Sequence, residues 1–357
     1  MHRALRILTL AFAAALLTSA AARADEAYYL AVDVPARLGG TDVNPNQVVR
    51  HWNGAYTAVA TLDPSVTISA FALRGDGTVL FAPESPVTLG GVTYEPRDIV
   101  SCKAGTCTAF LAGAAVGIPA GTAIDALALD GGGNPVVSFD VPVTLGGTDY
   151  APSDLVRFVN GAASLVWSGA AAGIPPGTNV TGFGTARSGN SIFAFDIPAQ
   201  LGALAEQPGD LTTWNGNTNF SLFMRDAAWP ADATLSGIGF APGAGYVPDG
   251  KDIPGTQVKL KKTGTQLTLT WGASCNPKDG DYAIYEGALG NFTSHVPNVC
   301  STGGLTTATI APLQKNAYYL VVARNAYAEG SPGFDSRGVQ RPQGANACAP
   351  LAAGSCP

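Results

Sequence analysis

Four carboxylates stand at the same place in four copies of one short unit: Asp33, Glu84, Asp140 and Asp196. Two residues on comes a proline, at Pro35, Pro86, Pro142 and Pro198. Leu-Gly-Gly follows at Leu38, Leu89 and Leu145, and Leu-Gly-Ala at Leu201. A second proline closes the unit at Pro45, Pro96, Pro152 and Pro208. Like charges gathered at one mouth repel unless protonation or a cation relieves them, and calcium is the hard cation such oxygens suit. Asp33, Glu84, Asp140 and Asp196 are therefore the candidate metal ligands, with calcium as the ion. The competing duty is local. Each carboxylate would cap the loop before its own proline and glycine turn by accepting backbone N–H bonds. Repetition favours that duty, because catalysis seldom uses four copies of one group.

Other chemistry is thinly marked. Asp98, Asp154 and Asp210 form a second repeated set, with Gln47 in the first copy, and Pro-x-Asp before a strand is a turn signature. A serine or cysteine nucleophile needs a neighbouring base. Beyond the first two dozen residues the only histidines are His51 and His295, far apart in sequence, and no Gly-x-Ser-x-Gly elbow is present. The glycine pairs lack the strand–loop–helix context of a phosphate cradle. Glycosidase chemistry needs two carboxylates in unlike environments, and no unequal pair stands out. Trp52, Trp167, Trp214 and Trp229 suit stacking on sugar rings, but mostly occupy strand positions where core packing is the commoner role. No catalytic or cofactor-binding residue is assigned on these grounds.

Composition narrows the class. The 357 residues carry 44 Gly and 25 Pro with only 13% charged residues, a balance that points to an all-β chain of short strands between tight turns. Hydrophobic residues make up 46%, too many for a disordered polymer. The net charge of −6 lacks the basic stripe that nucleic acid requires. Arg3 and Arg6, the apolar run Ile7 to Leu17 and the small-x-small triplet Ala22-Arg23-Ala24 read as a signal peptide over residues 1–24. No later stretch has the length of a membrane span. The expected product is secreted or periplasmic, where Cys102, Cys107, Cys275, Cys300, Cys348 and Cys356 would form disulfides. Their spacing suggests Cys102 with Cys107, Cys275 with Cys300, and Cys348 with Cys356.

A repeat of about 55 residues organises the first two thirds. Besides the carboxylate unit, a small-x-small strand recurs around Ala70/Ala72, Ala126/Ala128, Gly182/Gly184 and Gly237/Gly239. Each repeat reads as four strands. Asn-Gly turns precede the last strand at Asn53-Gly54, Asn160-Gly161 and Asn215-Gly216, and the Cys102–Cys107 pair closes that turn in the second repeat. Four strands per repeat is the blade of a β-propeller. The segment Tyr28 to Val32 aligns with a second strand and Leu235 to Phe240 with a first, so the chain ends would share one blade and leave no free edge. First strands crowding one axis would need those small residues. The expectation is a four-bladed β-propeller over 25–247. The alternative is an open stack or two β-sandwiches.

Lys103 is the only lysine before residue 250, whereas six follow it, which marks a new module. Pro242 to Pro254 reads as linker, with 248–253 at its centre. Tyr319-x-Val321-x-Ala323-x-Asn325 with Gly330-Ser331, and Trp271 ending Leu267-Thr-Leu-Thr, resemble the F-strand region and buried strand-B tryptophan of fibronectin type III domains. The resemblance covers about 254–341 and implies a β-sandwich serving as spacer or contact module. Two departures stand out: a longer gap between Asn325 and Gly330, and the Cys275/Cys300 pair. Residues 342–357 form an Ala/Gly/Pro-rich tail. The repeated part is also similar to propeller-like repeats of uncharacterised exported bacterial proteins, a likeness that implies no activity.

These readings converge on an exported, non-enzymatic binding or scaffold protein whose loops recognise an extracellular protein or a polysaccharide. The alternatives are a carbohydrate-active hydrolase or lyase with an accessory sandwich, and a calcium-stabilised structural protein.

Overall fold

The computed structural model describes residues 26–225, 229–230, 233–248, 257–335 and 337–354. The signal peptide expected at 1–24, the expected linker 248–253 apart from Pro248, and Cys356 lie outside the described residues. Among the described residues the chain is all-β, with one turn of 3-10 helix, Gly113–Val116.

The first part makes four antiparallel sheets of four strands each. From inner to outer strand, sheet I is Leu235–Phe240, Tyr28–Val32, Gln47–Trp52 and Ala55–Thr61. Sheet II is Ile68–Leu73, Val79–Pro83, Ile99–Lys103 and Thr106–Leu111. Sheet III is Ile124–Leu129, Pro135–Phe139, Leu155–Val159 and Ala162–Trp167, and sheet IV is Val180–Thr185, Ser191–Phe195, Leu211–Trp214 and Phe220–Met224. Sheet I takes its inner strand from the far end of the repeats, with Leu30 opposite Ile238.

Burial follows the order of the strands. Ile68–Leu73 and Val79–Pro83 are buried at every residue, so both faces of the inner half are covered and the sequence there is almost wholly apolar. The outer strands Thr106–Leu111 and Ala162–Trp167 face solvent and mix polar residues in. Each sheet packs on its neighbours through a separate apolar cluster. Tyr29 and Phe71 join sheets I and II, and Ala70 and Leu127 join II and III. Ala126 and Phe193 join III and IV, while Ile192 and Leu30 join IV and I. The four inner strands lie side by side around an axis. Small residues there receive large ones from the next sheet. A Cβ on Gly237 would lie 2.9 Å from the Phe71 ring, and one on Gly182 would lie 2.9 Å from Ile238.

The Leu-Gly-Gly segments do more than turn. Each is the tip of an extra two-stranded hairpin, such as Ala36–Leu38 with Thr41–Val43 and Val87–Leu89 with Val92–Tyr94. Gly39 and Gly40 have φ of 52° and 88°, the pair of positive values a type I′ turn needs. Three-residue strands are too short to register as a period-2 pattern. The Asn-Gly turns form where expected at Asn53-Gly54 and Asn160-Gly161, both residues at positive φ. Two details differ. Ala104-Gly105 takes the same conformation in sheet II, flanked by the Cys102–Cys107 disulfide. In sheet IV the positive φ values fall on Gly216 and Asn217 instead, in a longer loop closed by Asn215 N–H to Asn219 O at 2.9 Å.

The second part holds two three-stranded sheets. One is Lys259–Thr263, Gln266–Thr270 and Thr307–Ile310; the other is Val296–Val299, Asp281–Ala288 and Ala317–Arg324. Trp271 is buried between them with Leu269, Tyr282, Ile284 and Val321.

Spacing misled on two disulfides. Cys300 bonds to Cys348, so the pairings Cys275–Cys300 and Cys348–Cys356 do not form. Cys275 is disulfide-bonded as well. The reason is the path of the tail, which folds back across the sheets of the second part. Cys348 N–H donates to the Tyr285 hydroxyl at 2.9 Å, and Ala352 N–H to Glu329 O at 2.9 Å. The segment expected to open the linker is also engaged. Ala244 N–H donates to Ala352 O and Gly354 N–H to Ala244 O, both at 2.7 Å. A Cβ on Gly243 would lie 2.5 Å from the Gly354 Cα, so this three-way contact requires glycine.

Candidate functional site

The repeated carboxylates cluster at one end of the axis. Asp33 Oδ1 accepts Thr234 N–H at 2.7 Å, Asp140 Oδ1 accepts Ala123 N–H at 2.7 Å, and Asp196 Oδ1 accepts Asn179 N–H at 2.8 Å. Each backbone N–H returns a bond, as in Glu84 N–H to Thr67 O at 2.9 Å and Asp140 N–H to Ala123 O at 3.1 Å. The capping duty is therefore to the start of the inner strand in the same sheet, not to the carboxylate's own proline and glycine turn. Glu84 makes no such side-chain bond, and partial burial, with Asp33 nearby, pushes its carboxyl up. Among the described residues no three His, Cys, Asp or Glu side chains are grouped as metal ligands.

Asp98, Asp154 and Asp210 tie the turn before the third strand to the segment after the fourth. Asp98 accepts Glu95 N–H and Gly113 N–H, both at 2.8 Å, and Asp154 repeats this with Ala151 and Gly169. In the fourth copy Arg225 stands where those glycines stand, and its Nε donates to Asp210 at 2.7 Å.

Two carboxyl groups escaped the sequence reading. Each inner strand carries a bulge, and the bulged residues are Ser69, Asp125, Thr181 and Ser236. Bulges re-aim side chains and recur beside functional sites. Ser69 Oγ reaches across to Ile124 O at 2.7 Å, and the Asn179 amide donates to Asp125. Burial pushes the Asp125 carboxyl up to about 7, with Asp140, Asp196 and Glu84 adding repulsion. The signal was a run of polar residues at one register of otherwise apolar strands, acidic in a single copy. Glu206 is the second. It is fully buried where the other repeats carry Val43, Tyr94 and Tyr150. Neither of its oxygens has a partner, and burial, with Asp210 beside it, pushes it up to about 9.

At the opposite end of the axis lies a cavity of about 610 Å³. Its walls are the ends of the four inner strands, with Phe71, Leu127, Phe183 and Phe240, and the loop Asn276, Pro277 and Lys278 from the second part. Glycines let these rings approach the axis: a Cβ on Gly184 would lie 2.9 Å from the Phe240 ring, and one on Gly239 would lie 3.0 Å from Phe71. Pockets of about 300–1,000 Å³ with apolar walls and a few polar groups are the usual form of small-ligand sites.

The remaining candidates are structural. His295 is buried, bonded to the Tyr318 hydroxyl at 3.0 Å and Pro342 O at 3.1 Å, and burial lowers its basicity. Trp214 and Trp229 donate to Asn217 O and Ala233 O, and Trp167 packs on Phe193 with ring centroids 4.4 Å apart. No helix among the described residues is long and apolar enough to cross a membrane.

No protein-family model matches the sequence, and no curated protein matches it. Solved structures give distant likenesses. One, described as the extracellular domain of a hybrid two-component system from B. thetaiotaomicron, is 8% identical with a TM-score of 0.25, over 67% of this chain and 37% of its own. The chain thus spans well under half of that protein. YCF48 bound to D1 peptide is 10% identical with a TM-score of 0.25, over 84% of this chain and 78% of its own. A protein of unknown function from Bacteroides caccae is 13% identical with a TM-score of 0.24, over 72% and 86%. Likenesses at such scores fix neither fold nor function.

Proposed function

We propose that the chain is an exported, non-enzymatic binding protein that receives an extracellular protein or polysaccharide at the axial cavity. In this reading the four sheets are the blades of a four-bladed β-propeller over 25–247, and residues 254–341 are a fibronectin III-like sandwich that completes the cavity wall. The cyclic order of the four apolar clusters and the pairing of Tyr28–Val32 with Leu235–Phe240 support the propeller. Strands one, two and five in one sheet and three, four and six in the other support the sandwich. The observation that carries the function is the cavity itself, lined by apolar and polar side chains alike and walled by both parts. The test is a binding screen of the full chain against extracellular proteins and polysaccharides, repeated with Ala128→Phe to fill the cavity. A retained partner lost in that variant, at unchanged melting temperature, supports the reading; a partner bound equally by both variants contradicts it.

A second reading, a carbohydrate hydrolase or lyase, is favoured by one observation. Burial pushes Asp125 up to about 7 beside the carboxyl groups of Asp140, Asp196 and Glu84, and acid–base chemistry needs carboxyl groups in unlike environments. Turnover of a polysaccharide that disappears in Asp125→Asn would establish it. The calcium reading of Asp33, Glu84, Asp140 and Asp196 predicts a lower melting temperature with chelator, since a bound ion stabilises the folded state. Identical melting with and without chelator removes it.

A further inference from the structure

The axial cavity is cationic on one side, although the chain as a whole is acidic with a net charge of −6. Arg74 and Lys278 both line it. Their segments are adjacent in space: a Cβ on Gly75, the residue after Arg74, would lie 3.6 Å from the Lys278 Cβ. Among the described residues neither forms an ion pair, and the Arg74 guanidinium carbon lies 5.1 Å from the Phe110 ring centroid.

The acids nearby have partners of their own. Asp130, which also lines the cavity, accepts Gly132 N–H, Asn134 N–H and the Asn134 amide, and lies 3.7 Å from Arg157. Asp76 pairs with Lys103 at 3.0 Å. Asp279 accepts Gly245 N–H and the Ser274 hydroxyl at 2.8 and 2.6 Å. Arg74 and Lys278, neither in an ion pair among the described residues, therefore line a space shared with Leu127, Phe183 and Phe240. An apolar body would displace water from those apolar side chains, and a negative head would satisfy the two cations.

We infer that the axial cavity binds an amphipathic carboxylate, its apolar part between the inner strands and its carboxylate at Arg74 and Lys278. The inference rests on the cavity being the recognition site. A free alkyl carboxylate and the C-terminal residue of a protein with an apolar side chain share this chemistry.

Calorimetric titration of the full chain separates these sources and tests the pair of cations. The probes are decanoate, decyltrimethylammonium, octyl glucoside, and one short peptide ending in Leu-Phe as free acid and as amide. Decanoate or the free-acid peptide is expected to bind at least tenfold more tightly than the cationic, neutral and amidated probes. That preference should vanish in Arg74→Gln/Lys278→Gln, two half-buried or exposed positions whose replacement leaves the melting temperature unchanged. Binding should also weaken as salt rises. Decanoate alone binding points to a free small acid; the free-acid peptide alone points to a protein terminus. No binding by either acid, equal binding of all probes, or undiminished acid binding in the double variant overturns the inference. A macromolecular partner that still binds the double variant would leave the proposed function standing while this inference falls. Decanoate binding with no macromolecular partner would do the reverse.

Discussion

The Tyr29 hydroxyl donates to the Tyr327 carbonyl oxygen at 3.1 Å, and the two rings meet edge to face with centroids 5.9 Å apart. One residue belongs to sheet I, the other to the loop after the strand Ala317–Arg324. Asn325 holds that loop, accepting Tyr327 and Ala328 N–H at 2.9 Å and donating to Pro242 O at 2.7 Å. Tyr29→Phe leaves a buried carbonyl without its donor, at a cost of about 1–3 kcal/mol. Tyr327→Ala also removes the ring, and large aromatic truncations in cores cost about 3–5 kcal/mol. Urea denaturation is expected to show Tyr327→Ala splitting one transition into two, as the parts uncouple. A single, barely shifted transition would show that the contact couples nothing.

Asp125 makes stability depend on pH with a definite sign. Its carboxyl moves from 3.8 to about 7 on folding, so the folded chain keeps a proton that the unfolded chain releases. The contribution is complete below about pH 4 and is lost as pH rises towards 7. Asp125→Asn keeps an oxygen to accept the Asn179 amide and does not titrate. Its melting temperature should gain on wild type steadily from pH 4 to pH 7 and then run parallel to it. A gap independent of pH contradicts the assignment.

Glu206 extends the same trend upwards, from 4.5 when unfolded to about 9 when folded. Glu206→Gln is expected to stabilise the chain by more than about 1 kcal/mol at pH 8, because the buried site disfavours a charge. Chemical denaturation at pH 5 and pH 8 measures this. Stabilisation that is equal at both values would mean that shape, not ionisation, limits the site.

The architecture was more legible than the site. The four-stranded sheets and the Asn-Gly turns of sheets I and III follow from apolar runs and Asn-Gly pairs, which act locally, whereas the short extra hairpins and the sheet IV turn do not. The long Asn325–Gly330 gap was visible as a departure, but its use as a plug against Tyr29 depends on a partner some 300 residues away in sequence. Asp125 was hidden because a bulge shifts the register by one, so period-2 reading assigns its face wrongly. Arg74 and Lys278 sit in separate parts, and their segments come together only in the fold. The disulfides failed for a similar reason, since sequence spacing says nothing about a tail that turns back.

Cys300–Cys348 closes a separation of 48 residues, which the chain-entropy view values at about 4 kcal/mol. Cys300→Ala/Cys348→Ala should lower the melting temperature and loosen the tail, read as earlier proteolysis between 342 and 354. An unchanged melting temperature would show that the tail is held by its backbone bonds alone.

Hydrogen exchange of Leu235–Phe240 reports most directly on the arrangement that shapes the axis. Among the described residues its one hydrogen-bonding neighbour in the sheet is Tyr28–Val32. In the full chain its amides should exchange as slowly as those of Ile124–Leu129. In a variant lacking residues 26–33 they should exchange within seconds. Fast exchange in the full chain, or protection that survives the deletion, would contradict the pairing and with it the axis and its cavity.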